Sequence, residues 1–290
     1  MLERADTIIT ALTAFSNQPL ERGKSLIFFD EIQECPRART AIKFLVENGR
    51  FDYMVVGGMP AVVQNFIDSH DVAKSVQLQR DILTLYRQYI TKYSKNDKNL
   101  IKDIFDRIPS ELNSKNHRFM LSDIDKNARM NRYESNFVWL SHAGVTLPCY
   151  NVRKPVAPFE LNELRNLMKL FLNDTGLLCA MSAGYVQFDI LQGNIEVNLG
   201  SVLENLMAQE LAAHGFSLRY FDRKNLGELD FIVQKGNDTR ALEIKSGKDY
   251  HRHAALDNVI VNKAWKLHQG LVFCMATLRL PEKLHTFHCI

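Results

Sequence analysis

Two short apolar runs near the carboxyl end, each carrying charged residues, constrain the fold of this chain most strongly. They are residues 227–233 and 241–246, and a turn-like segment at 235–238 joins them. Side chains alternate along a strand, so Glu243 and Lys245 are expected on one face and their apolar neighbours on the other. The pattern therefore predicts a β-hairpin that holds a carboxylate beside an ammonium.

Asp230, on the first strand of this hairpin, is expected to point at the same place. Carboxylate oxygens are the ligands that Mg²⁺ prefers, and a lysine can orient an attacking water or neutralise charge on a phosphate. Asp230, Glu243 and Lys245 are thus the predicted catalytic residues of a magnesium-dependent phosphodiester hydrolase, with Asp230 and Glu243 as metal ligands. Charged residues also alternate on many solvated strands, and that interpretation remains the alternative.

The elements around the hairpin have a recognisable order. Apolar periodicity predicts a helix at 201–214, a strand at 217–221, a second helix at 254–268 and a buried strand at 271–276. Helix, three strands, helix, strand is the order of the PD-(D/E)XK nuclease core, the restriction-endonuclease-like fold, which this part of the chain resembles. The resemblance implies a mixed α/β domain of αβββαβ order at residues 187–290.

Three further side chains near this predicted site have two interpretations each. Glu204 is either another metal ligand or the glutamate of a capping box that begins at Ser201, and the cap is favoured. His251 and His253 either touch a phosphate or metal, or belong to a solvated loop. None of the three is placed among the predicted site residues.

A second group of charged residues lies near the amino terminus. Residues 25–31 form an apolar run that ends in Asp30 and Glu31, which is typical of a buried parallel strand. In a P-loop ATPase the aspartate at the end of this strand holds magnesium, and the glutamate polarises the attacking water. Taken alone, the run is also typical of an ordinary strand that ends in a polar loop.

The longer segments 25–46 and 57–63 resemble prokaryotic AAA-type ATPases whose carboxyl-terminal part is a domain of unknown function related to PD-(D/E)XK nucleases. The resemblance also covers residues 169–178, which in that family belong to a helical, winged-helix-like region. It implies an AAA-type remnant with a Walker B strand at 1–65 and the helical region at 66–186. For the full-length family it implies ATP as cofactor, and for the nuclease-like domain DNA, RNA and a protein remain alternative partners.

The chain departs from the family at the nucleotide site. A G-x-x-x-x-G-K-S/T loop should precede Asp30, but residues 23–25 supply only its last three letters, and Gln18 stands at the first glycine position. The sensor segment that should follow residues 51–53 is also missing. Without the loop's amides and lysine we expect no ATP hydrolysis, and Asp30 and Glu31 are vestigial. The chain looks truncated, as a shortened gene product or a natural minimal relative.

Between these regions, periodicity predicts helices at 71–92 and 100–108, the second closed by Pro109, and a short strand at 169–172.

Composition adds limits to the possible functions. A chain of 290 residues with 46% hydrophobic content suits about two domains. Its apolar runs stop at about eight residues, whereas a span needs roughly 20, so no membrane partner is expected. Five scattered cysteines without a Cys-x-x-Cys pair favour a reducing cytoplasm and no structural zinc.

A net charge of +3 is mild, so any affinity for nucleic acid must come from local patches. The candidate patches are Arg129, Arg132, Arg153 and Lys154 in the middle region, and Arg223, Lys224, Lys245 and Lys248 around the hairpin. For the patch in the middle region, a solvated face is the favoured interpretation.

Three functions remain open. They are a magnesium-dependent nuclease, a non-catalytic module that binds nucleic acid or a protein partner, and a nucleotide-dependent role in which another chain supplies the missing loop.

Overall fold

The computed structural model divides the chain into two compact units, residues 1–78 and 79–290. Some of the functional residues predicted from the sequence lie outside the part of the chain that the structure describes. They are Asp30, Glu31, Arg129, Lys248 and His251, together with the side chain of Arg132. The described residues are 26–29, 52–55, 59–93, 97–114, 118–121, 124, 130–182, 200–236, 238–245, 253–262, 265, 267, 269–274 and 285–288.

The first unit contains two short parallel strands, β1 (Leu26–Phe29) and β2 (Asp52–Val55). Parallel pairing agrees with the strand predicted for the apolar run that leads to Asp30. Helix α1 (Pro60–Ser69) follows, with a proline in its first turn, where the missing amide costs no hydrogen bond. The next helix, α2 (Val72–Tyr93), contains the boundary between the units.

In the second unit, helix α3 (Lys98–Leu112) corrects the predicted helix end at Pro109. The helix continues through this proline, because its buried face runs on to Leu112 and tertiary packing outweighs the lost amide. Helices α4 (Met130–His142) and α5 (Thr175–Met181) complete the middle region. None of the described helices combines the length and apolar composition that a membrane span requires.

The described strands of the second unit form two mixed four-stranded sheets, so the predicted mixed α/β class is confirmed. The first sheet has the order β4-β3-β5-β6, and the second has the order β10-β9-β8-β7. Their strands are β3 (Thr146–Val152), β4 (Glu163–Leu172), β5 (Arg219–Arg223), β6 (Gly227–Leu229), β7 (Phe231–Lys235), β8 (Asp238–Lys245), β9 (Gln269–Cys274) and β10 (His285–His288).

The helix–strand order predicted for the carboxyl-terminal region is observed with two differences: the strand predicted at 227–233 is divided into β6 and β7, which lie in different sheets, and β10 follows β9. Helix α6 (Gly200–Ala213) precedes β5, and α7 (Ala254–Ile260) lies between β8 and β9, although it is shorter than predicted. The strand predicted at 169–172 is the end of the longer β4. Strand β3, from the middle region, pairs in parallel with β5, so both regions contribute to one sheet. The finer assignments, to a P-loop remnant, a winged helix and a nuclease core, stay predictions, as do the domain boundaries.

A break in side-chain alternation at Asp230 positions the predicted site. Leu229 and Ile232 both lie in the apolar core that includes Leu256 of α7. Residues three apart on a regular strand would face opposite sides, so the alternation must fail between them. It fails at Asp230, the bend at which the chain passes from β6 in one sheet to β7 in the other. A polar side chain is thereby placed where the two sheets separate.

Candidate functional site at the hairpin

Glu243 and Lys245 lie side by side near the end of β8, as their two-residue spacing predicts. The Lys245 Nζ atom is 2.5 Å from Glu243 Oε1. The Glu243 side chain is only 6% exposed, whereas that of Lys245 is 31% exposed. The carboxylate is therefore buried, and the ammonium covers it from the solvent side.

Asp230 lies next to this pair through the backbone. Its Oδ2 atom accepts a hydrogen bond of 2.7 Å from the amide of Ile244, the residue between Glu243 and Lys245. The last backbone pair of the β7–β8 ladder joins Phe231 to Leu242, and Asp230 precedes Phe231 at the bend. The predicted trio thus comes from the end of β8 and from the bend that leads into β7.

Each of the two carboxylates has one oxygen without a protein partner. Glu243 Oε2 is buried and makes no hydrogen bond to any residue that the structure describes. Asp230 is partly buried, and its Oδ1 atom makes no hydrogen bond within the described part of the chain. A buried carboxylate oxygen that loses water without gaining a partner costs about 1–3 kcal/mol. Glu243 Oε2 is therefore the unsatisfied buried atom of this site, and Asp230 Oδ1 is a second oxygen open to a ligand.

A buried lysine, which the sequence analysis missed, lies among the neighbouring acids. Lys169 of β4 is fully buried, and its Nζ atom is 3.0 Å from Glu204 Oε2 and 2.6 Å from Glu228 Oε1. The same ammonium is 5.3 Å from the centre of the Tyr220 ring, a cation–π contact. The signal was present in the sequence, because Lys169 interrupts an otherwise apolar run, and such a lysine is buried only when it is paired.

This cluster sets the protonation of Asp230. Burial, and next the charge of Glu204, raise the pKa of Asp230 to about 7, although the Lys169 ammonium and the Ile244 amide act in the opposite direction. Burial lowers the pKa of Lys169, but Glu204 and Glu228 outweigh burial and leave that pKa raised. Lys169 is therefore a permanent cation, whereas Asp230 exchanges its proton near neutral pH.

Glu204 is part of this cluster, which changes the interpretation favoured from the sequence. A capping box requires Ser201 to precede the helix, whereas α6 already begins at Gly200. The Ser201 hydroxyl donates to Asn113 Oδ1 at 2.6 Å, and Glu204 faces Lys169. His253, by contrast, lies at the start of α7, and its Nδ1 atom is buried without a partner among the described residues.

The described residues contain no group of three or more histidine, cysteine, aspartate or glutamate side chains arranged to hold a metal ion. The predicted pair of ligands, Asp230 and Glu243, is smaller than such a group. The structure brings together two carboxylates, Asp230 and Glu243, which are linked through the backbone amide of Ile244. Lys245 pairs with Glu243, and the charge of Lys169 acts on Asp230.

Three protein-family models match the chain. The amino-terminal match, to residues 2–78, is an AAA domain, and it ends where the first compact unit ends. Residues 48–186 match a domain of unknown function (DUF8612), and residues 199–289 match a second one (DUF4143), which begins next to α6. No curated protein and no solved structure matched the chain. The matches support the coarser part of the resemblance: residues 2–78 are similar to an AAA domain, and residues 199–289 are similar to a carboxyl-terminal domain of unknown function.

Proposed function

We propose that residues 199–289 form a nuclease-like domain that hydrolyses nucleic-acid phosphodiester bonds with a divalent cation at Asp230 and Glu243. The proposal depends on one observation: Glu243 Oε2 is buried without a partner while Oε1 of the same carboxylate contacts Lys245. An unsatisfied buried oxygen is uncommon in folded proteins and needs a reason, such as an ion. A divalent cation would supply the missing contact.

The available ligands suit magnesium. This ion keeps several water molecules and is usually bound through one or two carboxylates, so a third acidic ligand is not required. Glu243 Oε2 and Asp230 Oδ1 are the two oxygens that would hold it. When bound, the cation would polarise the phosphate and acidify a water molecule.

The chain's own residues have separate tasks in this proposal. Lys245 is partly exposed, so its ammonium can meet the negative charge that builds on a phosphate oxygen during attack. Asp230 must lose its proton before it can bind a cation, and its pKa of about 7 places this step near neutral pH. Lys169 compensates Glu204 and Glu228, which keeps these two acids away from the cation.

One observation favours a second candidate, a non-catalytic binding module. The Lys169 ammonium already lies among Glu204, Glu228 and Asp230, so much of the negative charge is compensated without a metal. Buried acids that are paired internally attract a divalent cation less than free ones do. The two candidates predict opposite results for metal binding.

The test combines cleavage with metal binding. Purified wild-type protein, Lys245→Ala, Glu243→Gln and the matched surface variant Arg240→Gln are incubated with single-stranded DNA, duplex DNA and RNA, in Mg²⁺, Mn²⁺ or EDTA. We expect metal-dependent cleavage by the wild type and Arg240→Gln, and at least about a hundredfold loss in the other two variants, because one electrostatic group is typically worth that much.

Calorimetric titration of Mn²⁺ separates the candidates further. Wild-type protein should bind the ion, Glu243→Gln should bind it at least about tenfold more weakly, and Arg240→Gln should be unchanged. Equal cleavage by all variants would identify a contaminating nuclease and contradict the proposal. Absence of both cleavage and Mn²⁺ binding would leave the non-catalytic module.

A further inference from the structure

Two pairs of exposed cations follow two neighbouring strands of the second unit. Arg153 and Lys154 come directly after β3, while Arg223 ends β5 and Lys224 follows it. All four side chains are exposed. In the sequence the two pairs are 70 positions apart, and they belonged to two separate candidate patches.

The fold brings the pairs together. Strands β3 and β5 are parallel neighbours, with Tyr150 paired to Arg219 and Asn151 to Tyr220. Because parallel strands end at the same edge of a sheet, the residues that follow them lie side by side. The buried Asn151 side chain fixes this edge, since its Nδ2 atom donates to the Asp222 carbonyl at 3.3 Å and its Oδ1 atom accepts from the Asp222 amide at 3.1 Å.

The acids closest to these cations along the strands are neutralised by other residues. The Asp222 carboxylate pairs with Arg118 at 2.5 Å, and Glu228, opposite Asp222 in the β5–β6 ladder, pairs with Lys169. Two exposed carboxylates, Glu160 and Asp257, lie on the turn after β3 and on α7.

In the described part of the chain, no ion pair joins Glu160 or Asp257 to these four cations. The patch therefore presents four positive charges to solvent without internal compensation. Such a patch on a chain with a net charge of only +3 is a local concentration of charge rather than part of a general basic field.

We propose that Arg153, Lys154, Arg223 and Lys224, here called the basic edge, bind the sugar–phosphate backbone of a nucleic acid. Strand β6 pairs antiparallel with β5, begins at Gly227 opposite Arg223 and leads to the bend at Asp230. The basic edge and the candidate site thus lie at the two ends of β6.

The spacing fits one extended ligand. Gly227 lies opposite Arg223, three residues before Asp230, which corresponds to roughly 10 Å along a strand. A nucleic-acid strand that follows the basic edge would therefore pass the candidate site. Its role in delivering substrate rests on the proposed function, whereas backbone binding by the basic edge does not.

The test measures binding in EDTA, where cleavage cannot contribute. Labelled 20-mers of single-stranded DNA, duplex DNA and RNA are titrated with wild-type protein, Arg153→Gln/Lys154→Gln, Arg223→Gln/Lys224→Gln and the control Arg80→Gln/Lys98→Gln, which removes the same charge from exposed helix positions. We expect each edge variant to bind on the order of tenfold more weakly at 0.1 M salt, with a salt slope shallower by about 1 to 2. The control should match the wild type.

Several outcomes would overturn the inference. These are equal binding by the edge variants and the wild type, an equal loss in the control, or binding to anionic lipid vesicles without binding to any nucleic acid. Glu243→Gln separates this inference from the proposed function. If it binds normally but does not cleave, both stand, and if wild-type protein binds through the basic edge but never cleaves, only the nuclease proposal fails.

Discussion

At the scale of single residues, Asp230 is in an environment that opposes its own charge. It is partly withdrawn from water, it lies near Glu204 and Glu228, and its compensation comes from one lysine and one backbone amide. A side chain selected only for stability would be neutral at this bend. Function is the usual reason why a costly ionisable group is kept where the fold disfavours it.

Replacing Asp230 by asparagine should therefore stabilise the fold in a pH-dependent way. The pKa of Asp230 is about 7 in the folded protein against an ordinary 3.8, so the folded state loses stability as pH rises through this interval. Asparagine has no charge to lose and can still accept from Ile244. The gain of Asp230→Asn over the wild type should grow between pH 4 and pH 7 and level off at on the order of 1–4 kcal/mol.

Urea unfolding at pH 5, 6, 7 and 8 measures this gain. The exposed Asp103→Asn serves as the control and should show no comparable trend. A gain for Asp230→Asn that is independent of pH, or a loss at pH 8, would mean that the carboxylate is better compensated than its neighbours indicate.

At the scale of elements, Lys169 connects three parts of the second unit. It lies on β4, and its ammonium pairs with Glu204 of α6 and Glu228 of β6. Removing one member of a buried ion pair leaves the other charge buried without compensation, which costs about 3–5 kcal/mol. Lys169→Met should therefore lower the free energy of unfolding by about that amount, while the exposed Lys98→Met should change it by less than about 0.5 kcal/mol.

A double-mutant cycle with Glu204→Gln tests whether the two charges depend on each other. Lys169→Met/Glu204→Gln should recover part of the loss, since one buried acid fewer then remains without its cation. Additive losses, measured by urea unfolding, would show that α6 and β4 are held together by packing rather than by this pair.

The sequence predicted the elements better than their pairing. Alternation placed Glu243 beside Lys245, and periodicity found α6, β5 and the hairpin, because these features depend on local geometry. The Lys169 cluster and the basic edge were not predicted, since both need strands β3 and β4 beside β5. A lysine within an apolar run indicates that Lys169 has a buried partner, but a long-range parallel pairing leaves no local signal of which side chains meet.

At the scale of the whole molecule, the nucleotide site decides how this chain relates to AAA-type ATPases. The match to an AAA domain covers residues 2–78 and includes Asp30 and Glu31, and residues 1–29 contain no G-x-x-x-x-G-K-S/T loop. The backbone amides and lysine of that loop hold the β- and γ-phosphates, and two acids at the end of a strand cannot replace them.

We therefore predict that a protein made of residues 1–290 neither hydrolyses ATP nor binds it tightly. Calorimetric titration with Mg²⁺–ATP should give no saturable heat up to about 1 mM nucleotide, which excludes a binding free energy stronger than roughly −4 kcal/mol. Phosphate release should equal the buffer rate, and Asp30→Asn should change neither result. Micromolar binding that is lost in Asp30→Asn would show that the phosphates are held by another part of this chain, and the nucleotide-dependent role would then replace the prediction.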